Sequence, residues 1–267
     1  LAGGEIVSGR TLATDAGRGP ETVLDDAFGL ARSLIEEAGR RGFEVLGIGC
    51  GVPELVDLDG NVRSSYNFPW ADLPVQARFA ELGPAVVESD VRAAACAEAV
   101  FGAARGARHA IYVTVGSGVS YTLVIDGKPY AGANGYAIHF ANSPLTARCD
   151  SCGAVSAPLV EEIASGPGLA ARFATLVGRP AASGEAVLAA ADANDPVARQ
   201  VVADGAERLG VLIGLLINAL DPEVVIIGGG LGLAGGLYGA RLRAAIRAHI
   251  WAESRRQLPI LPAALGA

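Results

Sequence analysis

Val87-Glu88-Ser89-Asp90-Val91-Arg92-Ala93-Ala94-Ala95-Cys96-Ala97-Glu98, running on to Val115-Gly116-Ser117-Gly118-Val119, is the stretch that decides the fold. Ala85-Val86-Val87 predicts a short buried strand that delivers Ser89 and Asp90 to its carboxyl end. Val91 to Ala104 is rich in good helix formers and has Ser89 or Asp90 available as N-cap, so a helix follows. Ala110-Ile111-Tyr112-Val113-Thr114-Val115 predicts a second buried strand, which breaks into Gly116-Ser117-Gly118. An acid at the end of one strand and a glycine turn at the end of the next is how α/β proteins build ligand crevices. On spacing alone, Asp90 is as consistent with a plain helix cap as with a site.

The wider window carries a resemblance. Glu88-Ser89-Asp90-Val91-Arg92-Ala93-Ala94, Phe101-Gly102-Ala103-Ala104-Arg105-Gly106-Ala107-Arg108 and Thr114-Val115-Gly116-Ser117-Gly118 resemble the ROK family (repressors, open reading frames and sugar kinases). That family writes E-N-D-A-N-A-A, F-G-A-A-R-G-A and L-G-T-G-I-G. The similarity continues through Gly127 to Gly135, Ala164-Ser165-Gly166-Pro167 and Asn218 to Leu231. It implies an α/β chain with the actin-like ATPase (ribonuclease H-like) two-lobed fold and the ligand between the lobes. The smaller N-terminal lobe is expected at 1–108, the larger at 109–267, and the hinge near Gly102 to Arg108. The family's first strand, which ends in D-x-G-G-T on the ATP phosphates, is expected before Leu1. Leu1 to Val7 then reads as the strand after it, and the family's last helix is expected beyond Ala267.

Composition narrows the class. The 267 residues carry 21 Lys and Arg against 28 Asp and Glu, a formal charge of −7, which argues against a general nucleic-acid surface. Half the residues are apolar, yet no uninterrupted run reaches the roughly 18 needed for a membrane span. No signal-peptide pattern is visible, so a cytoplasmic location is expected. Four cysteines, Cys50, Cys96, Cys149 and Cys152, are too few and too apolar in setting for a disulfide framework.

The remaining elements read in order. Pro20-Glu21 opens a helix with Val23, Leu24, Ala27, Phe28, Ala31, Leu34, Ile35 and Ala38 on one face and Gly42 to end it. Val45 to Gly49 predicts a buried parallel strand feeding Cys50-Gly51-Val52-Pro53, and Asp59-Gly60 a hairpin turn. Asp72-Leu73-Pro74 starts a short helix. Tyr121 to Ile125 predicts a strand with a turn at Asp126-Gly127, and Val224 to Ile227 a buried strand. Asp195-Pro196 caps a long helix reaching to about Asn218, and another is expected from Gly235 to Ser254.

Several candidate site residues come from the resemblance. Tyr66-Asn67-Phe68-Pro69-Trp70 is similar to P-N-L-x-W, which implies that Asn67 contacts sugar hydroxyls; the plainer reading is a turn residue satisfying its own loop. Ser89 stands in the family's sugar-contacting stretch beside Asp90. Gly132 to Ala137 aligns with a sugar loop that runs on as G-E-x-G-H, so His139 replaces a sugar-binding Glu and Asn142 a zinc-binding His. Cys149-Asp150-Ser151-Cys152 stands where the family has C-x-C-G-x-x-G-C and a structural zinc. Tetrahedral zinc needs four ligands, so Cys149 and Cys152 make only part of a site: lost or distorted, completed by His139 or another residue, or a redox pair. Glu161, with Glu162 as fallback, matches L-E-x-x-A-S-G, implying a sugar contact; either also reads as a solvated helix carboxylate. Gly116, Ser117 and Gly118 match a phosphate turn, although Val119, Ser120 and Tyr121 follow where the family has glycines that allow close approach. Gly228, Gly229 and Gly230 stand beside the adenosine in the family, or form an ordinary strand-to-helix turn.

The expected function is ATP-dependent phosphorylation of a sugar or sugar-like polyol, with Mg²⁺ and with Asp90 as general base. The alternative is a non-catalytic sugar-sensing regulator or binding protein. Nucleic acid is an expected partner only if a DNA-binding segment precedes Leu1; a homodimer is expected from the family alone.

Overall fold

The computed structural model describes residues 5–67, 69–71, 73–144, 146–148, 150–180 and 183–266. The chain forms two compact units, Leu1–Ala94 with Ala131–Ala137, and Ala95–Tyr130 with Ile138–Ala267. Among the described residues no helix is long and apolar enough to cross a membrane.

In the first unit, α1 (Pro20–Arg40) starts at a proline, whose missing N–H would have had no helical partner. It stops just before Gly42, where φ is 76°. Its buried Val23 and Leu24 pack in a core with Val52, Val56, Val62, Trp70, Val75, Phe79 and Val87. Val56 bridges Val62 across the Asp59-Gly60 turn, with Gly60 at φ 82° as a tight hairpin requires. β1 (Ile48–Val52), α2 (Val75–Ala80) and β2 (Ala85–Ser89) follow, and the two strands run parallel in register from Ile48↔Ala85 to Val52↔Ser89.

Four expectations change here. The strand read at Val45 begins instead at Ile48, because the Ile48 N–H bonds Pro84 O and the ladder starts at Ala85; Leu46 is 82 % exposed. Ala85 to Val87 is buried on one side only, since successive strand residues face opposite ways: Val87 is 3 % exposed and Val86 64 %. Ile6 and Val7 lie in no strand, and Leu1 to Gly4, like Asp72, fall outside the described residues. α3 (Asp90–Phe101) ends before the expected Ala104, because the Glu98 carboxylate turns back to accept the Ala103 N–H at 2.6 Å.

The second unit is built on one sheet. β3 (His109–Val115), β4 (Val119–Ile125) and β5 (Lys128–Pro129) pair antiparallel in succession. A short ribbon of β6 (Ala147–Arg148) and β7 (Val155–Ser156) leads to α4 (Val160–Ala164), α5 (Gly166–Val177), α6 (Gly184–Asp192) and α7 (Pro196–Leu220). β8 (Val224–Gly228), α8 (Gly236–Ala248) and β9 (Ile260–Pro262) complete it, giving the order β5-β4-β3-β8-β9 with β8 parallel to both neighbours. β8 is buried at every residue, as the continuous apolar run requires of a central parallel strand. α7 is capped as read: Asp195 Oδ1 accepts the Ala198 N–H at 2.8 Å. Its apolar face, including Val202, Leu209, Ile213 and Ile217, closes the core against the sheet strands and α8. The last helix is shorter than the expected span to Ser254. Asn218 donates to the His249 carbonyl and accepts the Trp251 N–H, both at 2.8 Å, which turns the chain away after Ala248.

Candidate functional site

In the first unit the parallel register places Val52 beside Ser89, so Pro53-Glu54 and Asp90 leave the same edge of the strand pair. The carboxyl ends of parallel strands are where such folds bind ligands. Ser89 is fully buried, and its hydroxyl has no hydrogen-bond partner among the described residues. Asp90 opens α3, and its Oδ1 accepts the Val91 N–H at 2.7 Å. Neither side chain bonds an amide two or three residues on, so neither is the N-cap that spacing allowed. Asp90 reaches solvent, yet enough protein surrounds its carboxyl that burial, the largest influence, raises its pKa. The Val91 and Asp90 amides oppose that rise, and the negative charge of Glu54 adds to it.

Asn67 belongs to the same corner. Its Nδ2 donates to Pro53 O at 2.7 Å, and its backbone N–H donates to Glu54 Oε1 at 2.5 Å. Sequence reading missed Glu54. The signal was a lone carboxylate inside the otherwise apolar run from Cys50 to Val56.

In the second unit, Gly116-Ser117-Gly118 is the hairpin between β3 and β4, closed by the Gly116 N–H donating to Gly118 O at 2.9 Å. Glu161 is not a solvated carboxylate: Oε2 accepts the Val119 N–H at 2.7 Å and Oε1 accepts Asn142 Nδ2 at 2.8 Å. Gly229, at φ 78°, lies so close to β3 that a Cβ there would come within 2.4 Å of Val115 O. The N–H groups of Leu231 and Gly232 both donate to that carbonyl at 3.0 Å, locking the two strand ends together. Around them lies a cavity of about 680 Å³ walled by Gly116, Ser117, Gly166, Ser183, Gly184 and Gly230. α5 and α6 both begin at that wall, capped by Ser165 and Ser183, and helix starts favour anions. Tyr121 does not line the cavity; it packs edge-on against Phe140 at 5.2 Å between ring centres.

His139 is exposed and stands apart from the cavity wall. Cys149 lies outside the described residues; Cys152 is exposed with a free thiol. Among the described residues, no group of three His, Cys, Asp or Glu side chains is placed to hold a metal ion.

The two units thus collect the sequence-read residues separately: Asn67, Ser89 and Asp90 in the first, the glycine turns with Glu161 and His139 in the second. The mixed sheet and its glycine hairpin belong to the actin-like ATPase fold, as comparison with a solved structure bears out. The crystal structure of a ROK family glucokinase from Streptomyces griseus in complex with glucose and AMPPNP matches with a TM-score of 0.78 and 28 % identity. The match covers 98 % of this chain and 88 % of that one. The ROK family model matches residues 5–267, and the chain belongs to that family. Its relatives fall on both sides of the family. A glucokinase from Halalkalibacterium halodurans is 30 % identical over 87 % of this chain and 76 % of its own length. A xylose repressor from Caldicellulosiruptor bescii is 26 % identical over 91 % of this chain. The chain spans 64–65 % of the length of its Caldicellulosiruptor relatives.

Proposed function

We propose that this chain phosphorylates a hydroxyl of a sugar or sugar-like polyol with ATP, using Asp90 as general base. The observation that carries the reading is Asp90 itself: a carboxylate of raised basicity at a strand end, next to a buried hydroxyl, Ser89, that lacks a protein partner. Positioned acids and bases work best when their pKa is moved toward the operating pH. In the step, the substrate hydroxyl gives its proton to Asp90, its oxygen bonds the γ-phosphorus, and ADP leaves with the broken bridging bond.

The second unit suits the nucleotide. A Cβ at Gly230 would meet nothing within 4 Å, and one at Gly116 would meet only the Gly230 amide nitrogen at 4.0 Å, so bare backbone faces open space there. Bound with Mg²⁺, ATP supplies the phosphoryl group there. Gly116, Ser117, Gly118 and the α5 and α6 starts would hold its phosphates; Gly228 to Gly230 would hold its adenosine side. Glu161 keeps acceptor capacity on each oxygen for sugar hydroxyls beyond its two bonds. His139 would offer one donor and one acceptor where the resembling motif has a carboxylate, so glucose is expected to bind poorly relative to another sugar or cyclitol. A cytoplasmic homodimer remains the expected setting.

The second reading is a non-catalytic sugar sensor, favoured by the repressor among the relatives. A coupled ADP-release assay with glucose, xylose, N-acetylgalactosamine and N-acetylmannosamine separates the two. Sugar-dependent ADP release supports the kinase; calorimetric binding without release on any sugar supports the sensor.

A further inference from the structure

Glu54 has no place in that account, and its setting asks for one. Two residues beyond β1 and only 2 % exposed, it collects donors from the loop that follows, three of them among the described residues. The Ser64 hydroxyl and the Tyr66 N–H (2.9 Å) reach Oε2, and the Asn67 N–H (2.5 Å) reaches Oε1. Ser64 extends the connection by accepting the Leu55 N–H at 2.8 Å, and Asn67 Nδ2 returns a bond to Pro53 O at 2.7 Å. Residues 53–55 and 64–67 are therefore one hydrogen-bonded assembly. A buried carboxylate is costly without such bonds, and the hairpin already has Val56 and Val62 buried and paired across it. The charge serves position rather than packing.

We propose that Glu54 is a positioning residue for the Asp90 site, fixing the 64–67 loop and its Asn67 at the end of β1. The inference rests on the reading of Asp90 as the base. A second consequence is electrostatic. Glu54 disfavours another negative charge on Asp90, while Glu88 and Arg92, which flank Asp90 in the sequence, form their own ion pair. The buried anion thus raises the base's affinity for the hydroxyl proton.

Glu54→Gln tests both consequences. Its amide nitrogen must face either the Tyr66 or the Asn67 N–H, two backbone donors that cannot turn away. In carboxyl ¹³C NMR, with the Asp90 signal identified by its loss in Asp90→Asn, Asp90 is expected to titrate at lower pH in the variant. KM for the fastest sugar of the assay panel is expected to rise about tenfold, the cost of one mispaired buried donor. An unchanged Asp90 titration in a variant with wild-type circular dichroism and melting temperature would overturn the proposal. Should Glu54→Gln fail to fold, Glu54→Asp keeps the charge and shortens the reach. Sugar binding should then weaken with Asp90 titrating near its wild-type position, and unweakened binding would overturn the proposal. Wild-type protein that turns over no sugar refutes the kinase reading instead, and leaves the NMR titration decisive for Glu54.

Discussion

The Glu161 carboxylate accepts the Val119 amide at 2.7 Å and so braces the glycine hairpin from α4, across 42 residues of sequence. Its other oxygen takes the Asn142 amide, while Asn142 Oδ1 is buried without a partner among the described residues. Glu161→Ala leaves a buried N–H unpaired and is expected to cost about 1–3 kcal/mol in denaturant unfolding. Glu161→Gln should recover most of that loss. Its oxygen can take the Val119 N–H, and its nitrogen can donate to Asn142 once that amide flips. Equal losses in the two variants would contradict this bracing role.

Adjacent glycines in the β8 turn should respond in opposite ways. At Gly229 the positive φ, the backbone of Val115 and the Thr114 hydroxyl leave no room, so Gly229→Ala should destabilise the fold by about 1–3 kcal/mol or more. At Gly230 a methyl meets nothing, so Gly230→Ala should stay within about 0.5 kcal/mol of wild type. That methyl would still intrude on the proposed nucleotide cavity and should weaken ATP binding about tenfold by calorimetry. Unaltered ATP binding in Gly230→Ala would remove the turn from the site.

The raised pKa of Asp90 fixes the sign of its effect on stability. Because the folded protein holds that proton more tightly than the unfolded chain, the group opposes folding above its folded pKa. The opposition fades as pH falls through that folded value and is gone below the ordinary aspartate value of about 3.9. Asp90→Asn should therefore melt at or above the wild-type temperature at pH 7, with the difference closing near pH 3. A variant less stable than wild type at pH 7 would contradict this.

Purified without added metal, the protein is expected to carry well under one zinc per chain. Asn142, in place of the histidine, offers an amide already engaged by Glu161, and the third cysteine of the resembling motif is absent. One tightly held zinc per chain by elemental analysis would contradict this and point to a site completed around Cys152.

Much of this was legible because the deciding signals are local. Asp195-Pro196 caps and starts α7 within four residues, and the short β-branched run Val224 to Ile227 reads as a buried strand and is one. Errors arose where distant partners decide. β1 starts at Ile48 rather than Val45 because Pro84 and Ala85 set the ladder, and α8 stops at Ala248 because Asn218, from α7, takes the chain end. The role of Glu54 was hidden for the same reason: a lone carboxylate in an apolar run marks it, but its donors lie 10 to 13 residues further on, and no periodicity announces them. Resemblance picked out Glu161, but not the Val119 amide that it holds.

The central claim, that Asp90 is the base of a sugar kinase, is tested most directly by phosphoryl transfer from ATP across the sugar panel, wild type against Asp90→Asn. Asn keeps the size of the side chain and its carbonyl can still accept the Val91 N–H, so the fold and the sugar KM should change little. On the sugar that wild type turns over fastest, kcat is expected to fall about 10²- to 10⁴-fold. Asp90→Asn protein with wild-type kcat, or wild-type protein that binds sugar and transfers no phosphate to any of the panel, would contradict the claim.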